Sequence, residues 1–475
     1  MRRLALPFIL AAALLSSAVA LRQKQPEATT ATDDGALISM EDKEAREPHR
    51  QSLHNFVDLQ YYGDMSIGGQ DLKVILDTGS FEVVVFGAVC EGCGIAGRYN
   101  QHASVSFKNG HRTMTHAYGS GSCEAEDGYD NVRIGQLNAP HQALWVTTQC
   151  HMPLLESAAF NAVVGLGPPG QPVYSAQEDV KQLSKSAKRF KSRGQAVPPS
   201  LDEQIRSLKA VLEAAKEKTD TLETLGVKTF STCLGRAPGS KGFLIWNDHT
   251  REGHPGVMKL RVTGNITWSL AVENFKIGYK VMGCESGCGA IVDTGTSLIA
   301  VPSPMYQQIS FAVQSLGNGD CSDLTKYPHM EFQVGSHRLR LPPSAYLGQF
   351  FGQMNKQVAG FIHTEKLGDG SARMPCQLLM MDLGPVQRTT SGPMIILGMP
   401  VFRSFYTTFD LTGGRGNRHM FFTPASSTCT PEVSDMPRAD RETESLDYQM
   451  REVDLSALTV PNWILRSSGE GVREL

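Results

Sequence analysis

Two short stretches of the chain offer the same chemistry. Val74-Ile75-Leu76-Asp77-Thr78-Gly79-Ser80 returns as Ala290-Ile291-Val292-Asp293-Thr294-Gly295-Thr296. In each, three small or branched apolar residues lead into Asp, Thr, Gly and a hydroxyl side chain. The apolar run predicts a buried strand. The glycine permits a sharp turn that another group can approach closely. Each copy therefore holds one carboxylate on a tight loop at the end of a buried strand. Two such loops facing each other make a carboxylate pair, and a carboxylate pair can activate water.

The repeat extends beyond the tetrapeptide. Each copy is followed downstream by a second apolar segment ending in glycine, Val163-Val164-Gly165-Leu166-Gly167 and Ile395-Ile396-Leu397-Gly398. The half-chain is duplicated, and each half must build the same strand-and-loop support. From Ser52 to about Gly235 the pattern is one of short strands broken by Gly and Asn.

At this point the sequence resembles the pepsin-like (cathepsin D-like) aspartic endopeptidases, from roughly Ser52 to Ala425. Ser52 to Gly63 is similar to the family's mature N-terminal strand. Tyr118-Gly119-Ser120-Gly121-Ser122 is similar to its flap tip. Cys284-x3-Cys288, just before Asp293, is similar to its C-lobe disulfide hairpin, and Ile396-Leu397-Gly398 with Phe405 to Asp410 to its final strands. The resemblance implies an all-β chain with short helices, a bilobal fold of double-ψ β-barrels with the active-site cleft between the lobes. It implies an endopeptidase that cleaves polypeptides at acidic pH, with Asp77 and Asp293 as the catalytic pair. Two carboxyls about 3 Å apart cannot both ionise comfortably and share one proton, the established behaviour of aspartic-protease dyads.

The same resemblance assigns supporting roles. Ser80 and Thr296 donate hydroxyls to the outer carboxylate oxygens. Thr78 and Thr294 cross-brace the loops, and Gly79 and Gly295 leave room for substrate. Ser297 contacts the substrate backbone. Tyr118, Gly119 and Ser120 form a mobile flap that excludes water. Ile75, Leu154, Phe160 and Ile291 are candidates for apolar pockets, so large hydrophobic residues are expected to flank the cut. One departure stands out: Val84 occupies the position of the family's Trp, which hydrogen-bonds the flap Tyr.

Composition sets the remaining bounds. The chain has 475 residues, 41% of them hydrophobic, with a net charge of −3 and an isoelectric point near 6.5. That balance gives no electrostatic case for nucleic acid. Arg2 and Arg3, the apolar run Leu4 to Leu15 and Ala18-Val19-Ala20 read as a secretory signal, residues 1–20. A membrane anchor would need about twenty apolar residues, and none is expected. The route is secretory, ending outside the cell or in an acidic vacuole or lysosome-like compartment. No cofactor and no metal are expected, and a monomer is expected because both halves lie in one chain.

Ten cysteines suit an oxidising compartment. By resemblance, Cys284–Cys288 and Cys321–Cys376 pair in the C-terminal lobe, and Cys90 and Cys93 take the place of a small N-lobe loop disulfide. For the remaining four, Cys123 with Cys150 and Cys233 with Cys429 is one pairing, and the sequence leaves their connectivity open. A zinc or redox reading of Cys90-x2-Cys93 lacks a second well-spaced pair or nearby histidines.

The expected organisation is a leader or short pro-segment at 21–50, an N-terminal lobe at 51–235, a C-terminal lobe at 236–425 and a charged extension at 426–475. Within the first lobe lies an insertion at about 171–225. Its basic stretch, Ser175 to Gly194, carries Lys181, Lys185, Lys188, Arg189, Lys191 and Arg193 and reads as a solvated surface loop. A helix follows, with a capping box at Ser200-Leu201-Asp202-Glu203 and an apolar stripe at Leu201, Ile205, Leu208, Leu212 and Ala215. Asn265-Ile266-Thr267 is a glycosylation sequon, expected at the surface. The rival to an enzyme is a non-catalytic binding protein on the same scaffold. Both Asp-Thr-Gly triplets and the flap Tyr are intact, which favours the enzyme.

Overall fold

In a computed structural model, the described residues are 48–118, 121–216, 220–317, 321–354, 356, 358–363, 376–426, 428–429 and 448–460. The signal segment, nearly all of the leader, flap residues Gly119 and Ser120, and the end of the extension lie outside them.

The strand Gln70–Asp77 shows why the doubled motif folds as it does. Its first half alternates between exposed and buried positions, and its last residues are all buried. Such a run is shielded on both faces, as a parallel neighbour requires. That neighbour is Ala162–Gly165, paired from Val74↔Ala162 to Asp77↔Gly165. The strand after the loop, Val83–Glu91, returns antiparallel on its other side. The second half repeats the arrangement. Cys288–Val292 runs parallel to Gly392–Leu397, from Gly289↔Met394 to Val292↔Leu397, and Ala300 of the following strand pairs antiparallel with Ile396. In both halves a distant strand is threaded between the two that flank the Asp-Thr-Gly loop. The crossing is tight: a Cβ on Gly165 would lie 2.4 Å from the Phe81 backbone, and one on Gly398 would lie 2.2 Å from the Leu298 carbonyl.

These motifs sit in large sheets. Among the described residues, a 13-stranded sheet runs from Met258–Arg261 at one edge to Lys108–Tyr118 at the other, and a 9-stranded sheet carries Cys288–Val292 and Gly392–Leu397. The two halves of the chain share the first sheet. There Thr229–Leu234 pairs with Phe405–Asp410 and with Gly242–Trp246, which in turn pairs with His49–Phe56. Phe230, Trp246, Trp268 and Phe409 are buried at this junction, with Phe230 stacked on Phe409 at 4.7 Å. All five disulfides pair as expected: Cys90–Cys93, Cys123–Cys150, Cys233–Cys429, Cys284–Cys288 and Cys321–Cys376.

The insertion differs from its expected form. The basic stretch is not a loop but most of a helix, Gln171–Ser192. Val173, Ala176, Val180, Leu183, Ala187 and Phe190 recur at helical spacing and are buried or half-buried, while its lysines are exposed. The next helix, Pro199–Lys216, begins at Pro199, so Ser200 is helical rather than capping. A proline with its fixed φ suits that opening turn. From Val173 to the end of this second helix the chain belongs to a separate compact unit. The other described residues, with both Asp-Thr-Gly loops, form the second unit.

The C-terminal extension is partly built into the fold. Arg451–Asp454 runs parallel to Leu347–Phe351, and a 3-10 turn, Leu455–Ala457, follows. At the sequon, Asn265 is half-buried and Thr267 buried.

Candidate active site

Asp77 is the last residue of its strand, and Asp293 follows Val292 directly. Both are buried, at 6% and 2% exposure. Each is held by the amide two residues on: the Gly79 N–H donates to Asp77 Oδ1 at 2.8 Å, and the Gly295 N–H donates to Asp293 Oδ1 at 2.7 Å.

The loops are locked to each other by their threonines. The Thr78 N–H donates to Thr294 Oγ1 at 3.0 Å, and the Thr294 N–H donates to Thr78 Oγ1 at 2.9 Å. Each hydroxyl also crosses to the other half's strand, Thr78 to the Val292 carbonyl at 3.0 Å and Thr294 to the Leu76 carbonyl at 2.6 Å. Four hydrogen bonds thus cross between the two halves, and they fix the separation of the carboxyls.

Burial pushes the Asp293 carboxyl well above the usual carboxylate range. The charge of Asp77 adds to this, as does a hydrogen bond between the two carboxyls. The Thr296 hydroxyl and the Gly295 amide pull the other way. The arrangement is asymmetric. Thr296 Oγ1 donates to Asp293 Oδ2 at 2.5 Å, whereas Ser80 Oγ is buried without a hydrogen-bond partner among the described residues. Sequence reasoning gave these two hydroxyls equal roles, and only Thr296 fills its role. Two carboxyls in contact and sharing a proton can take a proton from a bound water and give one to a carbonyl oxygen.

Tyr118 ends the strand Lys108–Tyr118, paired with Gly121 across a hairpin. It packs, half-buried, on a cluster that includes Ile75, Phe160, Met152 and Phe86. Ile75 and Phe160, both buried, therefore share one cluster with Tyr118 packed against it. Two other pocket candidates are not part of that group. Leu154 is 1% exposed inside the turn Pro153–Glu156. Ile291 is fully buried in a different core, among Leu59, Leu298, Ile396 and Val460. Strands on both sides seal Ile291, so neither residue lines open surface. Ser297 is also fully buried. Its hydroxyl donates to the Leu59 carbonyl at 2.8 Å and lies 2.8 Å from Thr459 Oγ1, in the C-terminal extension.

Val84 packs against Ala125 and Trp145. The Trp145 indole donates to Glu82 Oε1 at 3.0 Å. His116, on the flap strand, places Nδ1 3.4 Å from Glu82 Oε2 and its ring 5.0 Å from that of Trp145. The flap base is thus tied to the Asp77 loop by Glu82, His116 and Trp145, which sequence reasoning missed. His116 and Trp145 lie on different strands and Glu82 in the bend before Val83–Glu91, and no local spacing marks them as partners.

Cys90, Cys93 and Cys150 place their sulfurs close together, but all three are committed to disulfides. Thiolate is the metal-binding form, so the group does not suit an ion.

A profile of the family described as "Eukaryotic aspartyl protease" matches residues 60–191 and 221–417. The chain is 25% identical over 392 residues to pepsin A of Bos taurus, covering 79% of this chain and 87% of the relative. It is 26% identical over 383 residues to chymosin of Callithrix jacchus, covering 78% and 84%. It is 26% identical over 385 residues to gastricsin of Suncus murinus, covering 78% and 83%.

Proposed function

The chain belongs to the eukaryotic aspartyl protease family and is an aspartic-type endopeptidase, and from that premise we propose that Asp77 and Asp293 are its catalytic pair. The reciprocal hydrogen bonds of Thr78 and Thr294 carry this reading. They are the means by which two buried carboxyls from opposite halves of the chain are held against each other.

In the proposed mechanism Asp293 holds the shared proton and Asp77 is ionised. Asp77 removes a proton from a water bound between the two. The resulting hydroxide adds to the carbonyl carbon of the scissile amide, while Asp293 gives its proton to the carbonyl oxygen. The tetrahedral gem-diol then collapses. The C–N bond breaks, the nitrogen takes the proton from Asp77, and a gem-diol hydroxyl returns one to Asp293. No charge accumulates on the site as a whole, because the pair keeps one proton between its members before and after turnover.

The substrate is a polypeptide bound in extended form. Tyr118, half-buried on the cluster that holds the buried Ile75 and Phe160, supports a preference for a large hydrophobic residue on the Asp77 side of the cut. Activity falls in the acidic range, where the pair keeps its single proton. Residues 1–20 direct the chain into the secretory route, and an acidic compartment or the extracellular space is its place of action. Among the described residues no helix is long and apolar enough to cross a membrane. Residues 21–50 are a leader or a short pro-segment.

The decisive experiment is hydrolysis of an acid-denatured protein at about pH 3 to 5, the range of a shared-proton pair. The purified chain is expected to cleave it and to be blocked by a statine-type transition-state mimic. Asp77→Asn and Asp293→Asn are each expected to abolish cleavage. Cleavage that persists in both variants overturns the assignment.

A further inference from the structure

The C-terminal extension returns to the loop that carries Asp293. Ser297 comes directly after Thr296, the residue that holds the Asp293 carboxylate. The Ser297 N–H donates to the Thr459 carbonyl at 3.3 Å, and the Thr459 N–H donates to Ser297 Oγ at 2.9 Å. Thr459 thus has its backbone donor and acceptor both satisfied by one residue of the catalytic loop. An extended peptide laid along a protein surface is gripped in the same way. The neighbouring contacts follow the same logic. Thr459 Oγ1 donates to the Leu59 carbonyl at 3.2 Å, and the Gln60 side-chain amide donates to the Ala457 carbonyl at 2.9 Å. Leu458 and Val460 are buried on either side, at 0% and 4% exposure.

Most of these contacts read the main chain. The groups that make them, the Leu59 carbonyl, the Gln60 amide and the N–H and hydroxyl of Ser297, would hold any extended polypeptide. We propose that Leu458–Val460 occupies a substrate-binding position beside Asp293, so that the extension is a built-in competitor that must leave before an extended substrate is gripped there. The proposal rests on the reading of Asp77 and Asp293 as the catalytic pair. The upstream strand Arg451–Asp454 and the turn Leu455–Ala457, capped by Asp454 through the Ser456 N–H at 2.9 Å, anchor the competitor. Release of the last few residues therefore need not unfold the rest.

Two variants and one peptide test this. The first variant ends at Met450, before the strand Arg451–Asp454, so that a 454–460 peptide finds its place vacant. The second is Thr459→Pro in the full chain, which removes the N–H that Ser297 receives. Leu458 already has the extended backbone that a following proline requires, at φ −71° and ψ 125°. With a long peptide substrate, both variants are expected to lower KM about tenfold with kcat unchanged, and a peptide of sequence 454–460 is expected to inhibit the truncated chain competitively. A folded truncated chain with unchanged KM, or inhibition that substrate does not relieve, overturns the proposal. Fluorescence anisotropy of the labelled 454–460 peptide with the truncated chain carrying Asp77→Asn separates the two readings, because it needs no turnover. Peptide that binds and is displaced by excess substrate, with no hydrolysis by any chain, refutes the catalytic reading and leaves the docking intact. Hydrolysis by the truncated chain without peptide binding refutes the docking alone.

Discussion

Gly79 faces Asp293 so closely that a Cβ added to it would lie 2.6 Å from the Asp293 Cγ and Oδ1. Gly295 has the mirrored relation to Asp77, with a Cβ 2.3 Å from Oδ1. Each half of the chain therefore supplies a carboxyl and the space for its counterpart. Gly79→Ala must displace Asp293 from its place. A loss of at least about 100-fold in kcat/KM is expected, because a misplacement of about 1 Å costs that much in an oriented site. Steady-state kinetics beside a circular-dichroism melt will show whether the fold survives while the rate does not.

The threonine brace makes a separate prediction about stability. In Thr78→Val the Thr294 N–H loses its acceptor and the Val292 carbonyl loses its donor. A buried group left unpaired costs about 1–3 kcal/mol. The urea midpoint is expected to fall accordingly, and Thr78→Ser, which keeps the hydroxyl, is expected to recover most of it. Thr78→Val combined with Thr294→Val is expected to cost less than the sum of the two, since they break a shared network.

The unequal hydroxyls predict unequal pH effects. Thr296 opposes the upward push on Asp293. Thr296→Val removes that opposition, so the pair keeps its proton to higher pH. The alkaline limb of the kcat profile is expected to move up. Ser80→Ala removes a hydroxyl with no hydrogen-bond partner among the described residues, and the limb is expected to stay in place. Equal shifts in both variants would contradict the asymmetry.

Asp220 makes a test away from the site. It opens the short helix Thr221–Thr224 and accepts the Gly170 N–H at 2.7 Å. Burial pushes its carboxyl up from 3.8 to about 6. A raised carboxyl pKa means that the folded state binds the proton more tightly. The associated stability is full below pH 3.8 and is lost as the pH rises toward 6. Asp220→Asn keeps an acceptor without needing a proton. It is expected to stabilise the chain at pH 7 by about 2 kcal/mol and to change little at pH 3. Thermal melts at the two pH values check this.

How much of this was legible in the sequence depended on whether the signal was local. The doubled Asp-Thr-Gly and its apolar leads gave both carboxyls, their strands and the glycines facing them, because strand, turn and close approach are encoded within seven residues. The basic insertion misled because attention went to its charges. The stripe from Val173 to Phe190 was present, but the lysines on the other face masked it. Glu82, His116 and Trp145 could not be found, because their meeting is set by strand order alone. Ser297 is expected by resemblance to contact the substrate backbone, and nothing in its neighbourhood says that Thr459 is its partner within the chain. Ile291 illustrates the opposite failure. An apolar residue two positions before a catalytic Asp suits a pocket as well as a core, and only the strands around it decide.

The disulfide Cys233–Cys429 pins the chain shortly before the extension begins its return path. On the proposal that Leu458–Val460 competes with substrate, the competitor is covalently part of the enzyme, so its effective concentration at Ser297 does not depend on how much protein is present. Dilution cannot relieve it. On that proposal a cut between Ala457 and Leu458 leaves the strand and its turn in place and makes the competing residues a free peptide, so one cut in the extension switches the enzyme on irreversibly.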